Sequence, residues 1–189
     1  MNIREKYSIP EGAKILLYVG NISKNKNQEQ MIDAFGLLPE SVQQNTYVLF
    51  CGRNLTPDYT LDNVVASKPY NQHLVLCGNV DKKYMGAYYK EADGVVLLSH
   101  TEGFGLSLIE GMHFGKPCIT FTDLDAYEDI YNESAVIGLN ERTDDAVAKG
   151  LLCFFNMDWD HQAIIDYSKS FAPEKMAEKY MGVFKQIIN

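Results

Sequence analysis

The stretch from Gly94 to Glu110, GVVLLSHTEGFGLSLIE, decides how this chain folds. Its first part, Gly94 to Ser99, is apolar without alternation, as expected for a parallel strand covered on both faces. Its second part sets Glu102 before Gly103-Phe104-Gly105 and then a helix-forming apolar run from Leu106. A buried strand that turns through glycines into a helix is the opening half of a βαβ unit. A carboxylate at such a turn, beside backbone N–H groups freed by glycine, suits a sugar next to a phosphate.

The same alternation extends in both directions. Strands are predicted over 14–20, 47–52, 73–78, 94–99, 117–121 and 134–139, all nearly continuous in apolar residues and several ending in Gly. Helices are predicted over 28–38, 81–92, 106–114, 144–155 and 161–169, with a short one near 61–66. Asp81 is an N-cap residue for the second of these. Pro173 suits a final helix over 173–189, where Met176, Tyr180, Phe184 and Ile187 recur at helical spacing. The sum is an α/β fold, a doubly wound, Rossmann-like parallel sheet of about six strands with C-terminal helices. Such sheets take ligands beyond the carboxyl ends of their strands, the edge that carries the glycine turns.

At 189 residues the chain suits a single domain over 1–189. Roughly 70% of the unfolded surface can be buried at this size. The net charge of -8 disfavours nucleic acid as a partner, because phosphate neutralisation needs basic surface. Cys51, Cys77, Cys118 and Cys153 form no C-x-x-C pair; the first three sit in strand-like runs and read as buried thiols, which points to a cytoplasmic setting. No signal-like N-terminus and no membrane-spanning apolar run is visible. No histidine pair has metal-ligand spacing.

Three constellations lie on the expected binding edge. The turn Gly20-Asn21-Ile22-Ser23-Lys24-Asn25-Lys26 fits neither a dinucleotide fingerprint nor a P-loop. Lys26 at the helix entrance can meet a diphosphate as a point charge, although, taken alone, a solvated basic turn accounts for this segment better. Glu102 and Glu110, eight positions apart, would lie about 80° apart on one continuous helix. They are therefore expected to touch different parts of one ligand, Glu102 from the turn and Glu110 from the second helical turn. Phe104, Gly105 and Leu106 offer backbone N–H groups between them; a dipole-favouring acid and a surface glutamate are the plainer alternative. The turns Gly52-Arg53-Asn54 and Gly78-Asn79-Val80-Asp81 are either simple turns or a source of positive charge, from Arg53, and of a base contact at Val80.

Taken together, these segments resemble the nucleotide-sugar-binding, C-terminal domain of GT-B retaining glycosyltransferases of family 4. The resemblance rests on Leu17-Tyr18-Val19-Gly20 through Lys26-Asn27, on Leu76-Cys77-Gly78-Asn79-Val80 with Tyr88 to Asp93, and on Ser99 to Ile119 with its E-x7-E pattern. It implies a nucleoside diphosphate sugar as donor and no bound metal or other cofactor. Lys26 would neutralise the diphosphate, Glu102 would hold hydroxyls of the transferred sugar, and Gly103 to Leu106 would face sugar and phosphate. Glu110 would bind the ribose and Val80 would lie by the base. Lys26 and the helix N-terminus would take the place of a divalent cation, and a donor phosphate oxygen would help deprotonate the acceptor. Glu102 and Lys26 are thus the expected catalytic groups.

Two departures qualify this. Asn21 stands where the family usually has an Arg, so Lys24 or Arg53 is the candidate replacement. The family's N-terminal acceptor-binding domain has no counterpart here, and residues 1–12 resemble the lead-in between the two domains. The expectation is an excised domain or one half of a split enzyme, inactive alone, whose acceptor is a growing polysaccharide or glycolipid. Any peripheral membrane contact would run through the missing domain. The rival readings are a nucleotide-sugar epimerase or phosphorylase half, and a non-catalytic nucleotide-binding interaction module.

Overall fold

The computed structural model describes residues 1–55, 59–175 and positions 177, 181 and 184. Six strands form one sheet: β1 (Lys14–Val19), β2 (Thr46–Cys51), β3 (Leu74–Gly78), β4 (Gly94–Leu97), β5 (Cys118–Phe121) and β6 (Val136–Leu139). Their order is β3-β2-β1-β4-β5-β6, and every neighbouring pair is parallel. The helices are α1 (Ile3–Lys6), α2 (Gln28–Gly36), α3 (Glu40–Gln43), α4 (Asp62–Ala66), α5 (Lys82–Glu91), α6 (Leu106–His113), α7 (Tyr127–Ile130), α8 (Asp144–Asn156) and α9 (His161–Ser168). This is a doubly wound α/β sheet, and its order reverses between β1 and β4.

Crossovers between parallel strands are right-handed. The β1-to-β2 and β4-to-β5 connections run in opposite directions, so α2 and α6 cover opposite faces. α2 packs with α8 on one face; α6 packs with α9 and α5 with α1 on the other. Both faces of the central strands are thereby closed, and Ile15, Leu16, Leu17, Val95 and Val96 are fully buried. Each such side chain contributes about 1.5–3 kcal/mol on burial.

All six expected strands and the longer expected helices are present, and the Asp81 side chain accepts from Lys83 N–H at 3.1 Å as the N-cap of α5. Several details differ from expectation. β4 stops at Leu97, because the N–H of Leu98 turns to the Tyr18 hydroxyl at 2.7 Å instead of the ladder. The four-residue helices α1, α3 and α7 are too short to show a period in sequence. Cys51 and Cys118 are buried, whereas Cys77 near the end of the edge strand β3 is only half-buried and Cys153 is exposed. Residues 1–12 pack onto the domain, with Ile3 and Ile9 buried and Arg4 bonded to Glu91 and to the carbonyls of Pro10 and Ala13. The helix expected over 173–189 lies for the most part outside the described residues.

At the carboxyl edge the backbones of the first two strands nearly touch. A Cβ on Gly52 would lie 1.8 Å from the carbonyl oxygen of Gly20. The ladder continues past the strands through Gly20 N–H to Cys51 O and Ile22 N–H to Arg53 O, both 2.9 Å. Gly52 is therefore fixed by the space beside Gly20, and the two turns move as one piece. We predict that Gly52→Ala destabilises the fold by about 1–3 kcal/mol, the scale of an overpacked site. Urea unfolding checks this; a wild-type midpoint would show that the turns can separate.

Candidate functional site

The site gathers where the sheet order reverses, beyond Val19 of β1 and Leu97 of β4. From the β1 side come Gly20 to Asn27. Ser23 caps a single 3-10 turn, Lys24–Lys26, by accepting from Lys26 N–H at 3.3 Å. Asn27 then adopts the left-handed region at φ 53°, which Asn tolerates better than most residues, and α2 begins. Gln28, fully buried, holds the turn from below: its amide donates to Asn21 O at 3.0 Å and its carbonyl accepts from Ser23 N–H at 3.4 Å.

From the β4 side comes Ser99 to Gly105. Gly105 occupies the left-handed region at φ 67° and starts α6 with no side chain to cap it. The first N–H groups of α6 therefore have no side-chain partner, and they carry the positive end of the helix dipole. Glu102 stands before this helix and Glu110 in its second turn, as their spacing predicts.

The two sides are joined by charge and by hydrogen bonds. Lys26 Nζ pairs with Glu102 Oε2, with about a fifth of each side chain exposed. Glu102 also accepts from Ser99 Oγ at 3.3 Å. Asn25 spans the crevice: its amide donates to Thr101 O at 3.1 Å, and its carbonyl accepts from Thr101 N–H at 3.2 Å and Thr101 Oγ1 at 2.9 Å. His100 N–H donates to Asn25 O at 2.8 Å. Beneath them the buried Tyr18 hydroxyl donates to Lys26 O while accepting from Leu98 N–H. Burial pushes this phenol up, so it stays protonated and keeps donating.

A cavity of about 990 Å³ opens beside this pair, between the strand ends, α5, α6 and residues 168–173. Of the expected site residues, Gly20, Asn21, Val80, Leu106 and Glu110 line it. Lys26 and Glu102 form the neighbouring ion pair. Gly103 is exposed, Gly105 is buried under α6, and Phe104 packs edge-on against Phe171. Arg53 is exposed and is not among the lining residues; nor is Lys24. The lining cations are Lys82 and Lys169.

Sequence reading missed several participants. Tyr89, within the helix predicted over 81–92 but given no role there, is buried and donates its hydroxyl to Glu110 Oε2 at 2.6 Å. Its ring stacks on Phe114 at 5.6 Å and an 11° interplanar angle. Burial and then the neighbouring Glu110 carboxylate raise this phenol, so it stays protonated and able to donate. His113 also lines the cavity, edge-on to Phe114. The signal for Tyr89 was its place one turn before Ala92-Asp93, facing the helix that carries Glu110. Among the described residues no three His, Cys, Asp or Glu side chains converge as a metal site, and no helix is long and apolar enough to cross a membrane.

Arg142, in the loop after β6, was also missed. It pairs with Asp123 through two bonds of 2.8 Å, and its guanidinium lies 4.3 Å from the centre of the Phe121 ring. Arg142 beside it holds the Asp123 carboxyl below its ordinary value.

Comparison with known proteins fits this geometry. Residues 1–171 match the family described as glycosyl transferases group 1, and the chain belongs to that family. An uncharacterised glycosyltransferase of Methanocaldococcus jannaschii is 26% identical over the whole chain, which covers 47% of that protein. The N-acetyl-alpha-D-glucosaminyl L-malate synthase of Bacillus anthracis is 28% identical over 118 residues, 62% of this chain and 29% of the synthase. A glycosyltransferase from Rickettsia africae superposes with a TM-score of 0.83 at 21% identity, over 98% of this chain and 51% of that one. Anabaena HepE, solved with UDP and glucose, gives 0.75 at 15% identity over 98% and 50%. At most about half the length of these relatives is covered by the chain.

Two measurements test the site's electrostatics and packing. Tyr89→Phe keeps the stacked ring but removes the bond to Glu110, and should cost about 0.5–1.5 kcal/mol in thermal or urea unfolding. The Asp123 carboxyl is depressed in the folded state, so its pairing stabilises above the ordinary carboxylate range and is lost as pH falls through the lowered value. The stability gap between wild type and Asp123→Asn should therefore narrow below about pH 4. A gap that stays constant down to pH 2 would contradict the pairing.

Proposed function

We propose that this chain is the donor-binding, C-terminal half of a GT-B retaining glycosyltransferase of family 4, and that it holds a nucleoside diphosphate sugar across the crevice between β1 and β4. The observation that carries this reading is the uncapped start of α6, with the Lys26–Glu102 pair on one side and a cavity containing Glu110 on the other. Family membership supports it, and the Anabaena neighbour solved with UDP and glucose is consistent with it.

In this reading the base lies by Val80, and Glu110, oriented by Tyr89, accepts from ribose hydroxyls. The diphosphate meets the α6 N-terminus and Lys26. Glu102 accepts from hydroxyls of the sugar. Transfer breaks the bond between the anomeric carbon and the diphosphate oxygen, and negative charge grows on the leaving diphosphate. Preorganised N–H dipoles and Lys26 stabilise that charge without a metal ion. The acceptor hydroxyl attacks from the same face, with a donor phosphate oxygen taking its proton. The acceptor, a polysaccharide or glycolipid, is bound by a second domain, so this chain alone binds donor and turns over little. A cytoplasmic location is part of the same proposal.

Asn21 bears on the diphosphate clamp. Lys24 and Arg53 lie away from the cavity lining, whereas Lys82 and Lys169 border it. We infer that Lys82 or Lys169, rather than Lys24 or Arg53, supplies the second positive charge.

Calorimetry with UDP, GDP and ADP, and with UDP-glucose, GDP-mannose and ADP-glucose, tests the reading. A ligand at 100 times its Kd should stabilise the fold by about 2.7 kcal/mol. Glu110→Ala should weaken nucleotide and sugar nucleotide alike, and Glu102→Ala should chiefly reduce the preference for the sugar nucleotide. Absence of binding to all six by the folded chain would sink the proposal.

A further inference from the structure

Resting on the donor-binding reading above, we propose that Arg142 is the positioning residue for Glu102: it fixes the turn that presents the sugar-facing carboxylate, without touching the ligand. Arg142 Nη1 donates to Ser99 O at 3.1 Å and Nη2 to His100 O at 3.5 Å. Those two residues lead directly into Glu102, and Ser99 holds Glu102 again through its hydroxyl. The guanidinium is itself fixed from two directions, and the Arg142 backbone from a third. Asp123 takes Nε and Nη2, the Phe121 ring lies under its face, and the Arg142 carbonyl accepts from Gln30 Nε2 at 2.8 Å.

The chemistry of the fork explains why an arginine is used here. A guanidinium presents five donors in one plane, so one side chain can serve a carboxylate and two carbonyls at once. A lysine offers a point charge and cannot hold this spread. With Asp123 neutralising it, Arg142 reaches the back of the turn without competing with Lys26 for Glu102. Asn25 grips the same turn from the β1 side, so the backbone of Ser99 to Thr101 is held from both flanks. Arg142 acts on the sugar end alone, because Glu110 and Tyr89 belong to α6 and α5 and share no bond with it.

The test compares the parent chain with R142A, R142K and D123N, using backbone hydrogen exchange and ligand affinity. In R142A, exchange should rise in residues 99–104 while the amides of α5 and α6 keep their protection. Using whichever of UDP/UDP-glucose, GDP/GDP-mannose or ADP/ADP-glucose binds the parent, R142A should lose about fivefold in preference for the sugar nucleotide, the scale of one hydrogen bond. Affinity for the diphosphate alone should be unchanged. R142K should behave like R142A, and adding D123N to R142A should cost nothing further, since the two act as one unit. Unchanged exchange in 99–104 overturns the proposal whether or not a ligand binds. Equal loss of both ligands together with a lower melting temperature also overturns it, because a general loss of stability would act that way. A local rise in exchange in a chain that binds none of the six ligands would support the strut and reject the donor-binding reading.

Discussion

Everything at the binding edge depends on the reversal of strand order between β1 and β4. The chain leaves β1 toward one face and β4 toward the other, so the loops that follow these two strands diverge and leave a crevice between their carboxyl ends. The gap exposes backbone and turn residues that would otherwise be covered, and two oppositely charged side chains meet in it. Lys26 and Glu102 are 76 positions apart in sequence, and only this topology brings them together. Only about a fifth of each side chain is exposed to water, so removing either partner leaves the other as a poorly solvated charge.

Around that pair the fold uses neutral hydrogen bonds more than ion pairs. Tyr18, Asn25 and Gln28 each serve two or more segments, and none carries charge. A site built this way can keep its shape while its charged groups change partners, as the proposed binding of a diphosphate there would require. The charged strut, Arg142 with Asp123, sits outside the cavity, where its own field is balanced.

Much of this was legible in the sequence. Six nearly uninterrupted apolar runs, several ending in Gly, are enough to specify a parallel sheet, and Gly105 before Leu106 marks the start of α6. Glu102 in the turn before α6 and Glu110 in its second turn stand where the sequence placed them. What the sequence could not show was pairing at long range. Arg142 follows an unremarkable polar turn, Asp123 lies in a segment without pattern, and nothing in either predicts that they meet behind residue 99. Tyr89 looked like one aromatic among several on a packed helix, because the partner that distinguishes it lies 21 positions later. Cys77 was misjudged for a simpler reason: β3 is an edge strand, and apolar runs on an edge are covered less completely than those in the middle.

The bond from Tyr89 to Glu110 has a kinetic consequence. A free glutamate on a helix surface samples many rotamers, and immobilising such a side chain costs roughly 0.5–1.5 kcal/mol on association. Here part of that entropy is already lost in the folded protein, to a phenol that burial and the carboxylate keep protonated and that is itself stacked against Phe114. The opposite end of the crevice is arranged differently, since Lys26 and Glu102 are already paired with each other. On the donor-binding reading proposed above, a donor would find one end ready and the other end occupied. Engagement would proceed from the nucleoside end toward the sugar, with the exchange of partners at Lys26 as the slower second step.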